Sequence, residues 1–285
     1  FTSENINLKY FPTRIIATQV HFETGSPKNT FIQADIPQTI IHFSLKSLKH
    51  HLIKITSIVV DKPNVVVAEG DEKAKKSTDE KTIDDWKLEI DKVNLNEASF
   101  IYQREQHGKT GKLHISKLNA EISELGTTPE RIDQKTQAKV TAELENSGAL
   151  KVDISAMIFN KFPNINVDVT LALDHMDLNR TKGFFMNYDG VEIKGNLKNA
   201  QAVVNVRGNS SSSTLEANFE NLSIDFHKTF ERSGFTAVLT NIFSGVKSKK
   251  NRKRSAQSPR EAEEPLVGWI FRSMKDAALK VATDR

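Results

Sequence analysis

Two fifteen-residue segments carry apolar side chains at the same six offsets, and this coincidence narrows the fold more than any other feature of the chain. Residues 53–67 read IKITSIVVDKPNVVV and residues 88–102 read LEIDKVNLNEASFIY. The matched pairs are Ile53/Leu88, Ile55/Ile90, Ile58/Val93, Val60/Leu95, Val65/Phe100 and Val67/Tyr102. Steps of two keep side chains on one face of a strand. The step of three from Ile55 to Ile58 moves the chain to the other face unless a bulge absorbs one residue. Bent strands with one apolar face are therefore expected. Four-point echoes at Ile15, Ala17, Val20 and Phe22, at Leu113, Ile115, Leu118 and Ala120, and at Ala217, Phe219, Leu222 and Ile224 extend the unit into a repetitive sheet.

The remaining segments fit that reading. Residues 4–24 predict two strands around Phe11-Pro12, since proline withholds a ladder donor and constrains its predecessor. After a turn at GSPKN, residues 31–45 predict a further strand. Leu45, Leu48 and Leu52 predict a short helix over 45–52, ended by His50-His51. Residues 68–84 read as a charged loop between the twin units, and 99–104 with 112–122 as a hairpin. Residues 136–145 alternate weakly, and Leu150, Val152, Ile154 and Ala156 alternate cleanly. Ile165, Val167, Val169, Leu171 and Leu173 make the longest strict alternation, with Asn166, Asp168, Thr170 and Asp174 on the other side. Residues 174–188 read equally as a short helix or a crossover. Strands are expected at 191–197, 202–207, 215–226 and 235–243, with NSSSS at 209–213 as a polar turn. Residues 247–264 read as a basic and polar connector. Residues 265–282 predict an amphipathic helix, with Pro265 in its first turn after two glutamates and an apolar stripe through Leu266, Ile270, Met274, Ala277, Ala278 and Val281.

Composition removes several classes of function. No cysteine is present among the 285 residues, so disulfides, thiolate metal sites and cysteine nucleophiles are excluded. The formal charge is +4, with the two signs interspersed, which gives no broad polyanion-binding surface. No stretch reaches the ~20 apolar residues of a membrane-spanning helix. The first residue is Phe1, which reads as a fragment or a processed product, with any anchor upstream.

Chemistry-bearing motifs are sparse. The eight histidines show no metal-ligand spacing, and His175 with Asp174 and Asp177 sits where an alternating strand ends. GKTGK at 108–112 lacks the glycine spacing of a phosphate loop and reads as a hairpin turn. No catalytic pair or nucleophile elbow is visible, so no enzyme, metal or cofactor is expected. Lys249, Lys250, Arg252, Lys253 and Arg254 belong to the one dense basic run, open to reading as a solvated loop, a surface for lipid headgroups or partners, or a nucleic-acid patch. The patch lacks the interleaved aromatics that stack bases, and no nucleic-acid partner is expected.

These segments together resemble the AsmA-like family of envelope proteins. The resemblance rests on INLKYFPTRIIATQVHF, on SLKSLKHHLIKITSIVVDKPNVVV with its echo LEIDKVNLNEASFIY, and on the run from LEANFENLSIDFHK to EEPLVGWIFRSMKDAAL. It implies a periplasmic protein, anchored in the inner membrane by a segment this chain lacks, whose strands curl into an apolar groove. Moving phospholipid or supporting outer-membrane assembly is the implied role, with phospholipid and envelope proteins as partners.

The expected architecture is a single mainly β domain over 1–285, built as a long curved, mostly antiparallel sheet or groove with β-bulges. The expected lipid contacts are Ile53, Ile55, Ile58, Val60, Ile165, Val167, Val169, Leu171 and Leu173. The rival reading is a structural or protein-binding β-sandwich module that works through the basic segment 247–254.

Overall fold

The computed structural model describes residues 2–25, 30–69, 86–106, 109–157, 166–189, 191–208, 210–226, 252–259 and 273. Its thirteen strands form one sheet. They are β1 (Thr2–Tyr10), β2 (Thr13–Gly25), β3 (Thr30–Ser44), β4 (Leu52–Asp61), β5 (Asn64–Glu69), β6 (Lys87–Gln106) and β7 (Lys109–Gly126). The series continues with β8 (Thr136–Leu144), β9 (Gly148–Ala156), β10 (Asn166–Asp177), β11 (Val191–Arg207), β12 (Ser210–Phe226) and β13 (Arg252–Pro259). Sheet order follows chain order, except that β4 and β5 lie end to end, both between β3 and β6. A 3-10 helix, Leu45–His50, joins β3 to β4; α1 (Pro129–Ile132) precedes β8, and α2 (Lys182–Asp189) precedes β11.

The twin units are partners. β4 and β5 run parallel to β6, and the register pairs Ile53 with Leu88, Ile55 with Ile90, Ile58 with Val93, Val60 with Leu95, Val65 with Phe100 and Val67 with Tyr102. Every matched offset is thus a cross-strand pair. Every other pairing in the sheet is antiparallel. A parallel connection must carry the chain back along the sheet, which takes a dozen or more residues. The segment between β5 and β6 has that length.

The steps of three in the sequence correspond to bulges. Opposite Ile55 and Ser57, the pairing of β3 with β4 shifts between His42 and Phe43, leaving Thr56 as the extra residue. In the echoes, the step from Ala17 to Val20 contains Gln19 (φ 51), that from Ile115 to Leu118 contains Lys117 (φ 50), and that from Phe219 to Leu222 contains Asn221 (φ 54). The longer gaps in the twins hold Lys62 (φ 50) and Glu97 (φ 48). A left-handed residue inserts one position, bends the strand and returns the next apolar residue to the same face. Lys62 and Glu97 are neighbours: Lys62 N–H donates to Asn96 O at 2.8 Å, and the two side chains pair at 3.3 Å.

Because the bulges keep faces in phase, apolar residues form transverse rows. One row follows cross-strand partners through Leu8, Ile15, Ile41, Ile58, Val93 and Ile122, then Ala138, Ile154, Val169, Val204, Ser213 and Ala256. The opposite face carries ion pairs such as Lys54–Glu89, Lys92–Glu121, Lys117–Glu143 and Lys135–Asp168. Exposed pairs of this kind contribute roughly 0–1 kcal/mol each and mainly keep that face wet.

Several segments differ from the sequence reading. The short helix over 45–52 is a 3-10 helix ending at His50; His51 adopts φ 52 and its N–H donates to Leu48 O. Residues 174–188 divide between the end of β10, a 3-10 turn at Leu178–Thr181, and α2. Residues 198–201 continue β11 rather than interrupting it, the register shift between Leu197 and Asn199 having hidden the alternation. Ser210 to Ser213 belong to β12, not to a turn. Residues 252–259 of the expected connector form β13, paired with β12. An edge strand is held by backbone bonds and is commonly guarded by basic residues and proline, so it needs no apolar alternation. The strand expected at 235–243, the charged loop from 70 to 84 and the terminal helix other than Ser273 lie outside the described residues. Ser273 itself is helical and buried.

Candidate functional site

Among the described residues the apolar face is the most extended feature, and it divides into two regions. Over β9 to β12 it carries two buried clusters, flanked by partly buried residues such as Ile154, Leu171 and Leu173. Ala156, Val167, Val169, Val204 and Val206 form one buried cluster, with Val167 at 1% and Val206 at 0% exposure. Met176, Leu197, Ala200 and Ala217 form a second, flanked by Leu173 and Phe219. Burying the valine, leucine and methionine side chains among them is worth about 1.5–3 kcal/mol each. Ser211 and Ser213 are buried as well, and their hydroxyls donate to Ser273 Oγ (3.1 Å) and Ser273 O (2.6 Å). Ser273 therefore lies on this face.

Over β1 to β7 the same rows stay partly open. Ile15, Ile41, Ile58, Val60, Val93 and Leu95 are each half-buried. Ile6 and Leu8 on the outermost strand are exposed, Ile6 by 64%. Helix α2 reaches this region only at one end. There Phe184 meets Tyr102 with ring centroids 5.9 Å apart, and Asn187 Nδ2 donates to Thr110 O at 3.2 Å. Tyr102 is on the apolar face, so α2 caps that face at the ends of β6 and β7.

The expected lipid contacts divide accordingly. Ile53, Ile55, Ile58 and Val60 lie on β4 in the open region, with Ile53 exposed. Leu171 and Leu173 are half-buried on β10. Val167 and Val169 belong to a sealed core, which removes them from contact with any ligand in this structure. A strand facing a core and one facing a ligand alternate identically, so the sequence could not separate them. Ile165 lies outside the described residues. Of the basic candidates, Lys249 and Lys250 also lie outside them, while Arg252, Lys253 and Arg254 stand on β13 opposite Ala217, Glu216 and Leu215.

Polar groups are arranged around the sheet rather than gathered into a reactive centre. On the wet face, Lys182 and then Lys194 hydrogen-bond Glu192 and hold its pKa down at about 2. Partial burial works to raise the pKa of Asp168, but hydrogen bonds from Arg207 and Lys135 outweigh it and keep the carboxyl low. On the open half, His21 Nδ1 meets Asp35 Oδ1 at 2.6 Å and Nε2 meets Glu23 Oε1 at 3.1 Å, so Asp35 first and Glu23 second raise the imidazole pKa. His21 and Asp35 also line a cleft of about 490 Å³ between β1 and β5, with Ser3, Gln19 and Lys62. His175 is an exposed bulge residue (φ 55), and Asp177 accepts from Asn179 N–H, which accounts for both as turn structure. Gln106 pairs with Lys109, so GKTGK begins at the β6–β7 hairpin and runs into β7. Among the described residues no group of three or more His, Asp and Glu side chains could hold a metal ion.

No protein-family model and no curated protein matches this chain.

Proposed function

We propose that the protein binds phospholipid acyl chains along the apolar face of β1 to β7, as a non-enzymatic envelope protein of the kind its sequence resembles. The supporting observation is that a row of apolar side chains continuous across the sheet passes through buried clusters over β9 to β12 and is partly exposed at Leu8, Ile15, Ile41, Ile58 and Val93 over β1 to β7. Apolar side chains left partly exposed in one contiguous row suit an apolar occupant. Acyl chains suit it because they need no hydrogen-bond partners, and the face offers almost none. The charged groups lie on the opposite face, where headgroup chemistry and water are available. Periplasmic residence and a tether to the inner membrane belong to the same proposal.

The test is solvent extraction of the purified protein followed by mass spectrometry. Phospholipid is expected in near-stoichiometric amounts, and Ile58→Asp together with Val60→Asp is expected to lower it several-fold while the circular dichroism of the sheet persists. Lipid-free protein, or lipid content indifferent to both substitutions, overturns the reading.

A further inference from the structure

We propose that one end of the open half docks onto an anionic phospholipid bilayer. Ten large apolar side chains are exposed among the described residues, and six of them gather at that end: Tyr10, Phe11, Leu45, Leu48, Ile53 and Trp86. The topology brings them there. β1 turns into β2 at Phe11, the 3-10 helix closes β3 onto β4, and Trp86 leads into β6 beside Leu52. The strands from β1 to β6 at this end span about 19 Å at 4.8 Å spacing. Lys87 N–H donates to His51 O at 2.8 Å, and the His51 and Trp86 rings lie 5.3 Å apart, which ties the helix end to the start of β6.

Charge separates a bilayer from a protein partner here. With three residues per turn, the 3-10 helix stacks Leu45 over Leu48 and, on the adjacent edge, Lys46 over Lys49. Both lysines are exposed and neither has an ion-pair partner among the described residues. Lys9 and Lys87 are exposed on either side. Of the described acids at this end, Glu89 is taken up by Lys54 and Thr128, while Glu130 and Asp133 stand on and just after α1, on the β7 side of Lys87 and away from the 3-10 helix. Among the described residues the cationic side is therefore the helix and the β1–β2 tip. Tyr, Phe and Trp interleaved with lysine is the composition of a membrane–water interface, where the rings sit at headgroup level and lysines meet anionic lipid. Phe11, 99% exposed at a hairpin tip, is placed to enter first. Ile53 belongs both to this patch and to the apolar face, so an acyl chain leaving the bilayer there meets apolar surface continuously.

This inference rests on the acyl-chain reading for its purpose and is tested separately from it. The full chain is floated with vesicles of phosphatidylcholine alone and with vesicles containing 30% phosphatidylglycerol. Wild type is expected to float with the anionic vesicles. Lys46→Gln with Lys49→Gln is expected to lower the partition coefficient about 30-fold, two basic residues at ~1 kcal/mol each. Phe11→Ser, at a side chain that packs on nothing, is expected to weaken binding without lowering Tm. Failure of wild type to float, or equal flotation of wild type and the lysine variant, overturns the inference. Lipid-free protein that still floats in the predicted pattern sinks the acyl-chain reading alone; lipid-loaded protein that does not float sinks the docking alone.

Discussion

Ile58 on β4 and Val204 on β11 lie in the same transverse row, yet Ile58 is partly exposed and Val204 is 1% exposed. The row around each is similar, so the difference lies in what the chain places above the sheet. Over the β11 half, Ser273 contacts Ser211 and Ser213, and Leu178 in the turn before α2 packs on the buried cluster. Over the β4 half, α2 at one end and the 3-10 helix at the other are the elements among the described residues that approach it. Burial is thus a property of the covering elements, and a strand pattern reports only that a face is apolar.

The bulges show the same contrast. In the sealed half they use His175, Gly195 and Asn221, residues that accept positive φ readily. In the open half they use Gln19, Lys62, Glu97 and Lys117, which do not. The open half tolerates local strain at the same positions where its rows must bend.

Four measurements would break or sharpen this comparison. The largest effect is expected from Val204→Asp, which buries an unpaired charge and should cost about 4 kcal/mol or prevent folding, while Ile58→Asp should cost about 1–2 kcal/mol. Urea unfolding midpoints read both, and equal losses would remove the distinction between the halves. Ser213→Ala should cost roughly 1 kcal/mol by leaving Ser273 O without its donor. An unchanged midpoint would mean that the Ser273 segment does not seal the face. Gln19→Gly should stabilise by about 0.5–1 kcal/mol through relief of positive φ, with Asn221→Gly close to neutral; the reverse order would show the strain to be misassigned.

The smallest effects concern pH, and the halves should differ in sign. The raised pKa of His21 contributes stability that is complete below its ordinary 6.5 and lost as pH rises through the raised value. The lowered pKa of Glu192 contributes stability that is complete above its ordinary 4.5 and lost as pH falls towards about 2. Thermal melts of His21→Gln and Glu192→Gln across pH should therefore approach wild type from opposite directions. Parallel curves would contradict the pairings.

Much of the sheet was legible because alternation and steps of three are direct imprints of pleat and bulge. The twin units were legible as strands, but their pairing with each other was not: an offset of 35 residues carries no sign of direction, and the parallel register appears only in three dimensions. β13 was missed because Ala256 is its one apolar residue and backbone bonds do the holding. Ser211 and Ser213 read as a turn because serine is ordinarily a surface residue; here Ser273 satisfies both. At the candidate site, the identity of the apolar face was legible and its exposure was not. The docking end went unnoticed because its residues are scattered between positions 9 and 87 and only the shared sheet end unites them.

The single parallel step also bears on how the chain assembles. Several antiparallel neighbours, β1–β2, β2–β3, β6–β7, β8–β9 and β11–β12, are joined by connections much shorter than a strand, so those pairings close at little entropic cost. Joining β6 to β4 and β5 requires a long segment to return along the full sheet before the first cross-strand bond rewards it. Two meanders, β1 to β5 and β6 to β12, can each begin alone, and their union along the twin units is the expected slow step of folding.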